Sequence, residues 1–314
     1  MLLLNTVKKF YNSFVFKRCD DVGTAYYFSA KDFENLRTES YIFKGSNGQK
    51  LNGCFYYYDN PIKDRIIVFD HGMGGGHLSY MKEIEMLARH GYKVFAYDHT
   101  GCMQSEGENT VGFTQSLCDL DCCLKTLKSD EKYKNESFAV IGHSWGGFST
   151  LNISAFHPDL THVVVMSGPV SVEKITEQFG PIKNHIREIE RQANPEYADC
   201  DGVKSLKNTN AKALLIYSDN DKMVNKEQNF DYLKSGLADR ENTFFLLEKG
   251  KDHNPNYTSD AVKYLGEYLA LLNKNKKQLK TPEQKKAFVE SLDWNRMTAQ
   301  DEKVWNKIFE VLDK

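Results

Sequence analysis

The chain lacks a long apolar run. Its 314 residues are 40% hydrophobic, yet no stretch approaches the roughly 20 consecutive apolar residues that a membrane-crossing helix needs. It also lacks an excess of charge. Lys+Arg total 41 and Asp+Glu 43, a formal net charge of -2. No global field therefore draws it to nucleic acid or to an anionic membrane. Its seven cysteines are an odd number, without a Cys-x-x-Cys and without zinc-site spacing. They read as reduced thiols, mostly buried, in a cytoplasmic protein. The glycine-rich stretch 71–77 has neither the G-x-x-x-x-G-K-[ST] lysine nor the G-x-G-x-x-G spacing, so nucleotide binding is discounted. No metal and no organic cofactor is expected. There is no internal repeat.

The start, "MLLLNTVKKFYNSFVFKR", has only three leucines in its apolar lead, fewer than a secretory signal core requires. Leu3, Val7, Phe10 and Phe14 recur at helical spacing, with Lys8 and Lys9 between them. A short helix packed on the body is the first reading. A helix lying in a membrane interface is the second.

What the chain does have is alternation. "ESYIFKGSNGQKLNGCFYYYD" carries two strand-like runs around a Ser-Asn-Gly turn, an opening hairpin. Apolar β-rich runs follow at 65–72, 92–98, within "SFAVIGHS", and at 162–168, 212–219 and 242–250, as for strands buried on both faces. Helical patterns separate them: 77–90, 117–127, 147–156, 226–237 and 260–272. Eight strands alternating with helices predict an α/β fold, a mostly parallel sheet covered on both faces. Between 168 and 212 the alternation stops for too long to be an ordinary loop. The expected organisation is a helical lead over 1–38, a core over 39–168 and 211–273, and a small helical cap over 169–210, after the sixth strand. A basic linker with a tail of two short amphipathic helices fills 274–314. Within it, Thr281-Pro282-Glu283-Gln284 reads as a helix start.

Gly142-His143-Ser144-Trp145-Gly146 lies where the fifth strand gives way to a helix. The G-x-S-x-G pattern places a serine on a sharp strand-to-helix turn, its hydroxyl exposed and backbone N–H groups nearby. Ser144 is the candidate nucleophile, and a serine needs a base. His253, in the loop after the eighth strand, is the candidate. An acid must orient that base, and Asp219 and Asp221, after the seventh strand, both qualify. Acyl transfer builds charge on a carbonyl oxygen, which rigid N–H donors must meet. The N–H groups of Met73, in "DHGMGGGH", and of Trp145 are the candidates. His143, Phe179 and Ile182 are candidate substrate contacts, the last two flanking the Gly180-Pro181 break in the cap.

These stretches resemble the α/β-hydrolase superfamily over roughly 39–272, in particular its monoacylglycerol-lipase and serine-aminopeptidase-like branch. "HGMGGGHLSYMKEIEMLARHGYKVFAYDHTGCMQSEG", "GHSWGG" and "SDNDKMV" carry the likeness. The last resembles the branch's G-x-x-D-x-x-V acid loop and so favours Asp221, with Val224 behind it. Thr100 departs from it, standing where the branch usually has arginine, and Cys102-Met103 interrupt its glycine pattern. The resemblance implies a serine hydrolase working through an acyl-enzyme, by default on a small-molecule ester; the apolar residues of the cap recur at helical spacing, as for packing the cap and not for lining a long acyl tunnel, so a small or medium acyl group is expected. Amide cleavage, acyl transfer and a non-catalytic binding role are the alternatives. Natural substrate and oligomeric state are not legible.

Overall fold

The structure, a computed structural model, describes residues 2–59, 61 and 63–314, the side chains of Leu2, Leu3 and Phe14 excepted. The Leu3 and Phe14 positions of the expected N-terminal stripe therefore lie outside the described side chains; Val7 is buried and Phe10 exposed.

Eight strands form one sheet: β1 (Arg37–Lys44), β2 (Lys50–Tyr57), β3 (Arg65–Asp70), β4 (Lys93–Tyr97), β5 (Ser137–His143), β6 (His162–Met166), β7 (Lys212–Ser218) and β8 (Thr243–Glu248). Their spatial order is β1-β2-β4-β3-β5-β6-β7-β8. β1 and β2 pair antiparallel, as does β2 with β4, and every later pairing is parallel. The central strands are Val/Ile-rich and buried along nearly their whole length, which suits a sheet covered on both faces.

The helices are α1 (Leu2–Phe10), α2 (Met81–Arg89), α3 (Gln115–Ser129), α4 (Trp145–Asn152), α5 (Val172–Thr176), α6 (Lys183–Ala193), α7 (Gly202–Lys207), α8 (Tyr232–Gly236), α9 (Ser259–Asn275), α10 (Pro282–Glu290), α11 (Trp294–Met297) and α12 (Glu302–Leu312). Two apolar layers result. One joins residues of α1, α3, α4 and the cap to one face of the sheet. The other joins α2 and α12 to the opposite face. Among the described residues no helix is long and apolar enough to cross a membrane.

The cap emerges after β6 and comprises α5, a short 3₁₀ stretch, α6 and α7. A single antiparallel bridge, Ser171 to Asp201, ties its ends together. The break expected at Gly180-Pro181 is real: Gly180 sits at φ 54°.

Two flanking segments differ from expectation. The lead is helical only to Phe10, continues as a wide turn to Val15, and then runs irregularly into β1; Phe16 is buried against Trp145. The tail has three helices, and the last is core rather than appendage. Val304, Trp305, Ile308, Val311 and Leu312 of α12 are buried in the second apolar layer. The amphipathic pattern predicts a helix but does not name its partner, here the face of the sheet beside α2.

Sheet register sets the site. The strand order reverses at β3, which has β4 on one side and β5 on the other. Ligands of open α/β sheets bind at such a switch point, beyond the carboxyl ends of the strands. Asp70 of β3 lies opposite Gly142 of β5, so the loop 71–76 emerges beside Ser144. Ser218 of β7 lies opposite Glu248 of β8, so the loops carrying Asp221 and His253 emerge together.

Candidate active site

Ser144 stands between β5 and α4 at φ 56°, ψ -115°, a backbone state that a non-glycine residue holds only when its surroundings enforce it. The surroundings do. A Cβ at Gly146 would run into the carbonyl of Asp70, and one at Gly142 into the carbonyl of Gly146. Glycine at both positions lets β3, the turn and α4 close tightly, and the closure aims the serine out of the sheet.

His253 Nε2 lies 2.8 Å from Ser144 Oγ, and His253 Nδ1 lies 2.8 Å from Asp221 Oδ2. Asp221 Oδ1 accepts from the N–H groups of Met223 (2.8 Å) and Val224 (3.0 Å). Burial alone would raise the Asp221 carboxyl; the hydrogen bond and charge of His253 and these two N–H groups bring it below its ordinary value. Val224 is buried behind it. Asp219 makes no hydrogen bond to the histidine among those of the described residues and accepts from the N–H of Gly250 at 2.9 Å. The structure thus brings Ser144, His253 and Asp221 into one line and leaves Asp219 outside it.

Trp145 opens α4, whose first N–H groups have no intrahelical acceptor. Gly72 lies against Ser144: a Cβ there would stand 3.3 Å from that of Ser144. Met73 follows, partly exposed. His71 sets this turn. Its Nδ1 donates to the Gly72 carbonyl (2.7 Å) and its Nε2 accepts from the N–H of His99 (3.0 Å). Burial pushes the His71 imidazole down to about 3, so it holds the turn as a neutral ring.

His143 turns both ring nitrogens to the protein and not towards open space. Nε2 lies 2.7 Å from the backbone carbonyl oxygen of His253, and Nδ1 2.9 Å from the Tyr80 hydroxyl. The Gly72 N–H donates to the same hydroxyl at 3.1 Å. Burial pushes His143 down to about 3. A neutral ring with its proton on Nε2 satisfies every partner: Gly72 N–H to Tyr80, Tyr80 O–H to His143, His143 N–H to His253. The sequence reading does not single out Tyr80; nothing in its local pattern marks this role.

Beneath the elbow lies a buried charge cluster. His99 sits 3.0 Å from Asp70 and 3.4 Å from Asp119, with its ring against Trp145. Burial would push His99 down, but the two carboxylates prevail and raise it to about 10. Thr100 N–H and Oγ1 both donate to Asp119, at 2.7 and 2.8 Å.

The cap reaches the elbow through Glu190 of α6. This buried carboxylate accepts from Phe113 N–H (2.7 Å), Thr114 N–H (2.9 Å) and Thr114 Oγ1 (2.6 Å) at the start of α3, and from the Tyr11 hydroxyl. The Trp145 indole N–H donates to the Phe113 carbonyl at 2.6 Å. Phe179 and Ile182 are partly buried and pack on the first apolar layer. Among the described residues, no group of three or more His, Cys, Asp or Glu side chains is arranged to hold a metal ion.

The comparisons agree with this architecture. The chain is 31% identical over 127 residues to monoglyceride lipase of Rattus norvegicus, covering 40% of this chain and 41% of that one. It is 26% identical over 164 residues to proline iminopeptidase of Saccharolobus solfataricus, covering 48% and 51%. The match thus spans about half or less of the length of these curated relatives. A Pyrococcus furiosus esterase structure superposes with a TM-score of 0.60 at 18% identity, covering 82% of this chain and 98% of that one; at that identity the likeness speaks for fold. The model of the family described as serine aminopeptidase, S33 matches residues 61–232, more than half of the chain. The chain therefore belongs to this hydrolase family of the α/β-hydrolase superfamily.

Proposed function

We propose that the protein is a serine hydrolase that cleaves carboxylic esters through an acyl-enzyme. The observation that carries this is the unbroken hydrogen-bonded line from Asp221 through His253 to Ser144, ending on a serine held at φ 56°. His253 takes the Ser144 proton as the oxygen attacks the ester carbonyl. The N–H groups of Met73 and Trp145 meet the developing oxyanion. His253 then protonates the leaving alcohol, and the acyl group rests on Ser144. Water enters, His253 removes its proton, and the acid leaves. Asp221 fixes the imidazole tautomer and stabilises the imidazolium throughout.

Esters are the first substrate class because their alcohol leaves more readily than an amine. The lipase among the similar proteins supports the same class. The iminopeptidase relative favours an amide as the second reading. Phe179 and Ile182 are the proposed walls of a pocket for small or medium acyl groups. Seven free thiols suit a reducing, cytoplasmic setting.

The test is turnover of p-nitrophenyl acetate and butyrate by the wild type and by Ser144→Ala. A loss on the order of a millionfold in kcat is expected if the three residues act as a unit. Near wild-type turnover by the variant would refute the assignment.

A further inference from the structure

The irregular segment after the N-terminal helix lays one residue beside the loop that follows β4. Cys19 N–H donates to the Gly101 carbonyl (2.9 Å), and Met103 N–H donates to the Cys19 carbonyl (2.8 Å). This is a single parallel bridge pairing Cys19 with Cys102. Directly paired residues project to the same side, and paired strands lie about 4.7–4.9 Å apart. That falls within the roughly 4.4–6.8 Å Cα separation that a disulfide spans. The pairing sets the two cysteine side chains beside one another, and the Cys19 thiol donates to the Lys17 carbonyl at 3.7 Å. Cys102 is fully buried, whereas Cys19 is partly exposed.

We propose that Cys19 and Cys102 form a peroxide-oxidisable dithiol, with Cys19 the attacking thiol and Cys102 the resolving one. The neighbouring Cys102 side chain is the main influence that brings the Cys19 thiol down to about 7, so thiolate is available at neutral pH on this partly exposed residue. The thiolate attacks one oxygen of a hydroperoxide. The O–O bond breaks, hydroxide leaves and takes up a proton, and Cys19 becomes a sulfenic acid. The Cys102 sulfur then attacks the sulfenic sulfur. The S–O bond breaks, the hydroxyl leaves as water with the Cys102 proton, and the S–S bond forms. Two thiols have lost two electrons, and hydrogen peroxide has become two waters.

The bridge abuts the proposed oxyanion loop. Gly74, which lies near the Cys19 side chain, follows Met73 directly. Met103, next to Cys102, packs on Gly76: a Cβ there would stand 2.7 Å from the Met103 Cγ. Oxidation draws the 101–103 turn towards residue 19, so the loop that presents Met73 must adjust. The other close pair, Cys118 and Cys122, differs in kind. The two thiols are also neighbours, but they stand four residues apart on α3. Helical Cβ atoms at that spacing lie about 5–6 Å apart, beyond the roughly 3.5–4.5 Å of a disulfide.

The test treats the full-length wild-type protein with equimolar hydrogen peroxide, blocks the remaining thiols with N-ethylmaleimide, and maps non-reduced peptides by mass spectrometry. A Cys19–Cys102 linked peptide that disappears on reduction with dithiothreitol is expected. In Cys102→Ala, Cys19 should instead stop as a sulfenic acid that dimedone traps. Ester turnover should fall several-fold on oxidation and return on reduction. An unmodified Cys19, a Cys19 carried to sulfinic acid beside a free Cys102, or a link confined to Cys118 and Cys122 would overturn the proposal. The peptide map reads the thiols whether or not the protein hydrolyses esters.

Discussion

The ring of His143 reaches 2.7 Å to the backbone carbonyl of His253. The residue before the candidate nucleophile thus holds the loop of the candidate base. Through Tyr80 the same ring is joined to Gly72, beside the proposed oxyanion donor.

His143→Ala should leave the His253 carbonyl without its donor and free that loop to shift. An unpaired buried polar group costs about 1–3 kcal/mol; carried into the transition state, that lowers kcat roughly tenfold to a hundredfold. Burial holds His143 at about 3, so it is neutral throughout the working range, and its removal should not displace the dependence of activity on pH. Tyr80→Phe should act in the same direction and more weakly. A His143→Ala profile displaced along the pH axis would show that His143 titrates in the reaction.

The two aspartates after β7 should separate cleanly. Asp221→Asn should cost on the order of 10⁴ in kcat, because the amide favours the wrong imidazole tautomer. Asp219→Asn alters an acceptor of the Gly250 N–H and should cost little. Steady-state kcat/KM for both variants decides it, and the reverse ranking would move the acid to Asp219.

The strands were legible because each parallel strand is a short apolar run between turn signals, and burial on both faces leaves no other composition. The elbow was legible because a serine between glycines at a strand end has a local steric cause. The choice of Asp221 came through resemblance, since strand parity does not discriminate residues already in a loop. The His99 cluster was not legible. Asp70, His99 and Asp119 lie on three separate elements, and each looks ordinary in its own surroundings. The docking of α12 stayed hidden for the same reason: periodicity shows that Trp305 has an inward face, not what that face meets.

That cluster makes a stability prediction. His99 is held at about 10, against about 6.5 for an ordinary imidazole. Its contribution is therefore fully present below about 6.5 and lost as pH rises through 10. His99→Gln leaves two buried carboxylates without their cation and should cost about 3–5 kcal/mol near pH 7. Chemical denaturation at pH 7 and pH 10 should show the gap to wild type narrowing at the higher pH. A constant gap would mean that the imidazolium is not the source.

The cap makes a specificity prediction. Phe179→Ala should move preference towards longer acyl chains and leave acetate esters nearly unchanged. One or two methylenes of pocket contact are worth about 1–3 kcal/mol, so the shift should be modest. An acyl-chain series on Phe179→Ala and Ile182→Ala reads it. Unchanged profiles in both would make the cap a structural cover.

The central claim is that Ser144 is the nucleophile and His253 its base. The most direct measurement is the site and rate of labelling by a fluorophosphonate, read by peptide mass spectrometry in the wild type, in Ser144→Ala and in His253→Ala. One adduct per chain is expected in the wild type, on Ser144, with labelling slowed by orders of magnitude in His253→Ala and abolished in Ser144→Ala. An adduct on another residue, or a Ser144 that labels equally fast without His253, would contradict it.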